Sequence, residues 1–148
     1  TLSRDVWETV SAFANTAGGI IVLGVSERAG FVPVANFETE KVLNQFVAGM
    51  GDAGGRGKLA NPPKYTIERV GLRGTVVLVI TIEELDPSSK PCYVIERGAQ
   101  GGSYKRIDDK DVPLSSTEVL ALSSYERTSP SDRDAVWAIS TSRWSTAR

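Results

Sequence analysis

Tyr104-Lys105-Arg106, with Lys110 downstream and Arg97 upstream, is the segment whose side chains could do chemistry most directly. An aromatic ring set among cations can stack on a base while the cations grip phosphates. The same residues also fit a solvated strand face, since Asp108, Asp109 and Asp111 neutralise the charge beside them. The residues alone leave both readings open. A second cationic segment is Gly54-Gly55-Arg56-Gly57-Lys58. It departs from the phosphate-binding pattern GxxxxGK[ST]: Leu59 stands where Ser or Thr is required, and the loop follows a helix instead of a strand. Arg56 and Lys58 are therefore read as cations on a flexible or disordered loop that reaches toward a polyanion. Glu83, Glu84 and Asp86 form an acidic cluster, but neighbouring strand residues point to opposite faces and cannot chelate together.

The absences are equally informative. The sequence has no histidine and a single cysteine, Cys92. Ser–His and Cys–His catalysis, His-ligated zinc and an internal disulfide are thereby excluded within it. A net charge of −1 gives no bulk attraction to nucleic acid or membrane, so any such binding needs a local basic patch. No apolar run approaches the roughly 20 residues of a membrane span, and no secretory signal pattern opens the sequence. A cytoplasmic location is expected. The 148 residues, 41% of them apolar, suffice for one domain with a packed core.

The elements that must position these residues follow from periodicity. Val6, Val10, Phe13 and Ala14 predict a helix over residues 4–15, with Ser3 as N-cap and Asp5 in the first turn. Asn15-Thr16-Ala17-Gly18-Gly19 joins that helix to an aliphatic strand, Ile20 to Val25. A tight turn accounts for Gly18 and Gly19. It does not dictate Asn15 and Thr16, which also suit holding a phosphate or orienting a neighbouring carboxylate. Val42, Leu43, Phe46, Val47 and Met50 predict a second helix over 40–50. Pro62-Pro63 sets up a strand over 65–70, turned through Leu72-Arg73-Gly74 into a central strand over 75–82. On that strand Val76, Leu78, Ile80 and Ile82 share one face. Two short strands, 92–97 and 103–107, flank a glycine-rich turn. The capping box Ser115-Ser116-Thr117-Glu118 opens a last helix to about residue 125. The expected fold is α/β (α+β), a mixed, mostly antiparallel sheet with helices packed on it. Residues 1–128 are assigned to the domain and 129–148 to a linker or disordered tail. The start at Thr1 suggests a piece of a longer chain.

Phe13-Ala14-Asn15-Thr16-Ala17-Gly18-Gly19, followed by Ile20-Ile21-Val22-Leu23-Gly24-Val25, resembles the signature of the Schlafen/AlbA-type (AlbA-2) domain, roughly AFANTxGGxxxIGVxDxG. The similarity continues through Asn61-Pro62-Pro63, the strand Val76 to Ile82, Lys90-Pro91 and Gly102-Ser103-Tyr104-Lys105-Arg106. It implies a nucleic-acid-binding domain, DNA foremost, in a bacterial transcriptional-regulator-like multidomain protein, some members of which are described as ATP-binding. On this reading Arg97, Lys105 and Arg106 contact phosphate and Tyr104 stacks, with Lys110, Arg56 and Lys58 adding charge. Asn15, Thr16, Gly18, Gly19 and Gly24 shape the signature turn. Animal Schlafens carry a related domain that cleaves structured RNA. The resemblance implies that such nucleases use two glutamates spaced E-x4-E before the first helix and an acidic residue after Gly-Val. Here the first two would precede Thr1 and the third falls at Glu27, where the family has aspartate. Three carboxylates could hold Mg²⁺ or Mn²⁺; Glu27 alone cannot. The expectation is non-catalytic binding with no cofactor. The alternatives are a metal-dependent RNA endonuclease, an ATP-binding module or a homodimerising one.

Overall fold

A computed structural model describes residues 2–26, 30, 32–124 and 146–147. In chain order the elements are α1 (Asp5–Asn15), β1 (Gly19–Leu23), β2 (Val25–Ser26), β3 (Val32–Pro33), α2 (Thr39–Gly49), β4 (Leu59–Ala60), β5 (Tyr65–Leu72) and β6 (Thr75–Ile82). After them come β7 (Tyr93–Val94), the broken turn α3 (Ala99–Gly102), β8 (Tyr104–Ile107), β9 (Lys110–Pro113), α4 (Ser116–Ser123) and β10 (Thr146–Ala147).

α1 forms where the apolar stripe predicts it and buries Val6, Val10, Phe13 and Ala14, together with Trp7. Its N-cap is Arg4, not Ser3. Ser3 still serves the first turn: its Oγ accepts the Asp5 N–H at 3.3 Å and its carbonyl accepts that of Val6 at 3.3 Å. At the other end the Thr16 and Gly18 N–H groups both donate to the Phe13 carbonyl, and Gly18 takes φ +70°. A Cβ on Gly18 would lie 2.6 Å from the Ile82 carbonyl oxygen, so the turn requires glycine on two counts.

β6 lies between β1 and β5, antiparallel to both, and β10 runs parallel to β1 at Ile20 and Ile21. The β5–β6 hairpin closes through Arg73 (φ +49°) and Gly74 (φ +81°), the two left-handed residues of a two-residue turn. Leu78, Ile80 and Ile82 are buried on the face that meets the helices. Val76 was expected with them, yet it is 42% exposed, and Val70 on the neighbouring strand is exposed too, although Val77 between Val76 and Leu78 is buried. The first strand is also shorter than its aliphatic run. Gly24 at φ +103° breaks it, and the Phe37 ring packs over the glycine where a Cβ would sit. The result is an α+β fold with helices on a mixed, mostly antiparallel sheet.

α2 joins the core through aromatic contacts. Trp7 stacks on Phe46 with centroids 5.5 Å apart, and Phe46 meets Tyr65 edge-on at 5.4 Å. Beyond β6 the expected strand 92–97 shrinks to Tyr93–Val94, paired with β4. Ile95 still donates to the Lys58 carbonyl, but the partner chain then departs into its glycine loop, and Ile95–Arg97 close into a 3-10 turn ended by Gly98 at φ +75°. The capping box is present: Ser115 Oγ accepts the Glu118 N–H at 3.1 Å, and Glu118 Oε1 accepts the Ser115 N–H at 2.9 Å. α4 ends at Ser123, and Tyr125 lies outside the described residues. No helix among the described residues is long and apolar enough to cross a membrane.

Two outcomes follow from this packing. Gly49 sits at the last helical position of α2, where helix propensity alone favours Gly49→Ala by about 0.5–1 kcal/mol. A Cβ there would overlap the Trp7 ring, so the substitution is expected to destabilise by about 1–3 kcal/mol in urea unfolding. A stabilised variant would show that Trp7 has room to move. Cys92 is fully buried, and burial pushes its thiol up to about 12. It should resist thiol reagents at pH 8 in the native protein and react promptly in denaturant.

Candidate nucleic-acid interface

The signature residues build this region from inside. At the end of α1, Asn15 Nδ2 donates to the carbonyls of Cys92 and Tyr104, both at 2.9 Å. Its Oδ1 accepts the Cys92 N–H at 2.8 Å. One turn earlier Ser11 Oγ donates to the Cys92 carbonyl at 2.7 Å and accepts the Tyr104 N–H at 3.1 Å. Thr16 Oγ1 accepts the Arg106 N–H at 2.9 Å. These three side chains take the place of a strand between β7 and β8, whose mutual pairing is a lone bridge, Tyr93 to Ser103. The choice of Asn15 and Thr16 is thus explained by backbone hydrogen bonding rather than by phosphate or carboxylate contact.

The cations on β8 and β9 fare differently from expectation. Tyr104 is 7% exposed, with Arg97 over its ring at 5.9 Å and Arg97 Nη1 donating to its hydroxyl. A ring covered on this scale offers no face to a base, which corrects the stacking role. Arg106 is a correction as well. Its side chain is 8% exposed, Nη1 donates to Asp111 Oδ1 at 2.6 Å, and the guanidinium lies over the Phe13 ring at 5.1 Å. Thr9 Oγ1 donates to the second oxygen of Asp111 at 2.6 Å. Thr9 and Phe13 are four apart on one face of α1, so the pair they receive docks the hairpin on the helix. Arg106 is spent on the fold and cannot reach a phosphate. Lys105 pairs with Glu118 at 2.6 Å, while Lys110 stands exposed at the β8–β9 turn.

Arg97, Arg56 and Lys58 come together elsewhere. With Arg4, they line a cleft of about 470 Å³ whose other walls are Trp7, Glu8, Gly57, Val94, Ile95 and Glu96. Three distant segments meet there: the start of α1, the glycine loop and the turn after β7. The loop was expected to be flexible; its cationic end is pinned. The Lys58 N–H donates to the Gly49 carbonyl at 2.6 Å, and the Lys58 carbonyl accepts from Ile95 at 3.0 Å. Gly57 lies so close to α2 that a Cβ would come within 2.7 Å of the Gly49 carbonyl oxygen. Arg97 pairs with Glu8 at 2.8 Å, and Arg4 pairs loosely with Glu96 at 3.8 Å. The Arg97 guanidinium, charged in any case, is raised further, first by its hydrogen bond to Glu8 and then by the Tyr104 hydroxyl. Among the described residues Arg56 and Lys58 have no ion-pair partner, and both are exposed. Sequence reasoning missed Arg4, Trp7 and Ile95, since no local spacing links residues so far apart.

The acidic positions are less convergent. Glu27 lies outside the described residues. Glu83 and Glu84 are exposed, and Glu84 pairs with Lys90 at 2.6 Å. Among the described residues no three His, Cys, Asp or Glu side chains form a metal-ligand set.

Asn15→Ala leaves the Cys92 N–H and the Tyr104 carbonyl without partners, the Cys92 carbonyl keeping Ser11, and is expected to cost about 2–3 kcal/mol in chemical denaturation. Thr16→Val, which strands a single N–H, should cost about 1 kcal/mol. Equal costs would mean that Asn15 does not hold both strands. Glu118 is held down to about 2, first by Lys105 and then by the Ser115 N–H. Its folded value lies below the ordinary 4.5, so its stabilisation is complete above that pH and is lost as pH falls toward 2. The urea midpoint of the wild type should therefore drop more steeply over that window than that of Glu118→Gln; parallel drops would contradict the pairing.

The sequence matches the family model described as Schlafen, AlbA_2 over residues 2–115. No curated protein matches it. Since the match takes in well over half of the 148 residues, the chain belongs to the Schlafen AlbA_2 family.

Proposed function

We propose that this domain binds nucleic acid, DNA foremost, through phosphate contacts from the cleft, without cleaving it and without a cofactor. It would act in the cytoplasm within a bacterial transcriptional-regulator-like protein. Family membership is consistent with nucleic-acid binding, and one observation carries the reading further. Arg56 and Lys58, unpaired among the described residues, sit on pinned backbone beside Arg97 and Arg4, giving four cations against the carboxylates of Glu8 and Glu96. Cations on a held backbone lose less freedom on meeting a phosphate than cations on a mobile loop. Lys110 adds charge, whereas Lys105 must first leave Glu118.

The test is fluorescence anisotropy of labelled duplex DNA, single-stranded DNA and structured RNA across a salt series. Log K should fall linearly with log salt, by about 0.9 per duplex phosphate neutralised. The double variant Arg56→Gln, Lys58→Gln should reduce that slope by roughly 2 on duplex DNA and weaken all sequences alike. Lys105→Gln should leave the slope almost unchanged. A slope indifferent to Arg56 and Lys58 would move the interface elsewhere.

A further inference from the structure

We infer that the cleft takes one unpaired nucleotide, phosphate against Arg56 and Lys58 and base against Ile95, so that the domain prefers single strands and frayed ends to intact duplex. This rests on the nucleic-acid reading above and specifies which form of nucleic acid the site accepts.

Size is the first argument. About 470 Å³ falls within the roughly 300–1,000 Å³ of sites that enclose a small ligand, large enough for a nucleotide unit. The second is the chemistry of the walls. Ile95, backed by the buried Val94 and Trp7, gives an apolar wall beside the cations, where a surface built for duplex phosphates alone would need only the cations. Ile95 is partly exposed, so it can offer area to an incoming base. An intact duplex keeps both base faces inside its stack and presents nothing to that wall.

Charge gives the site a direction. Glu8 and Glu96 stand on the side of α1 and the turn after β7, each already paired with an arginine. They disfavour a phosphate there and leave the loop side, with Arg56 and Lys58, as the place for it. Rigidity is the last argument. Trp7 is clamped between Phe46 and Gly49, and the loop is tied to α2 through Lys58. Both walls therefore exist before a ligand arrives.

The experiment compares a labelled 15-nucleotide oligothymidine with a blunt duplex of the same length, on the whole chain, for the wild type and Ile95→Ala. Thymidine monophosphate and inorganic phosphate are titrated separately by NMR. The wild type should bind the single strand about tenfold more tightly than the duplex, the scale of burying part of one base face on an apolar side chain. Ile95→Ala, which shortens the apolar wall without adding charge, should cut that preference severalfold, the single strand losing more affinity than the duplex; an unchanged ratio would overturn the base contact at Ile95. Native protection of Cys92 from thiol reagents reports that the variant is folded. Thymidine monophosphate should shift resonances at residues 4–8, 56–58 and 94–97 and bind more tightly than phosphate. Equal binding of single strand and duplex would overturn the nucleotide site but leave phosphate binding standing. Equal binding of the nucleotide and phosphate would reduce the cleft to an anion site and likewise overturn the inference. Failure to bind either DNA would remove the parent reading as well.

Discussion

The β7–β8 region, with Arg97, Tyr104 and Arg106, hangs on the polar clamp at the end of α1. β7 is two residues long and β8 four, and they share a single bridge. Strands so short cannot satisfy their own backbone groups, and they lie against a helix where water cannot finish the task. Ser11, Asn15 and Thr16 supply the missing partners. An unmade bond in that setting costs about 1–3 kcal/mol, so the helix end and the two strands form one unit. That unit decides where Arg97, Tyr104 and Arg106 point.

The clamp also sorts the cations. Backbone held this close to α1 carries Tyr104 and Arg106 inward, onto Phe13 and Thr9, where a charge survives only if it is paired. Asp111 provides the pair across the β8–β9 ladder, at the position directly opposite Arg106. The apparent basic motif is therefore an internal fastening. The loop cations meet a different constraint. Their backbone is fixed by Gly49 and Ile95, but no carboxylate shares their stretch of chain, so their charge remains available.

Helices and the central hairpin were legible because each states itself locally. The stripe from Val6 to Ala14, the capping box at Ser115 and the Arg73-Gly74 turn all act within a few residues. Val76 and the segment 95–97 were misread because exposure of a strand residue and loss of a strand partner are decided by distant chain. The same limit explains the site. Arg56, Lys58 and Arg97 could be named from charge, whereas burial of Arg106 depends on Thr9 and Phe13, nearly a hundred residues earlier, and leaves no mark on its own neighbourhood. Asn15 is the instructive case: its type was visibly unexplained by a turn, and the explanation lay in carbonyls 77 and 89 residues away.

A chain of net charge −1 has no long-range field to draw a polyanion, so attraction has to be local. At 0.1 M salt the screening length is about 10 Å, comparable to the reach of one cleft. Cations dispersed over the surface would each be cancelled within that distance by the nearest Asp or Glu, as Lys105 and Arg69 are by Glu118 and Glu40. Concentrating Arg56 and Lys58 on a loop free of acidic residues after Asp52 escapes that cancellation. Glycine makes this possible: Gly57 brings the loop back against α2 where no side chain would fit, and it does so without adding a charge. The glycine-dense stretch, a poor match to a phosphate motif, is what holds Arg56 and Lys58 against the cleft without a carboxylate of their own.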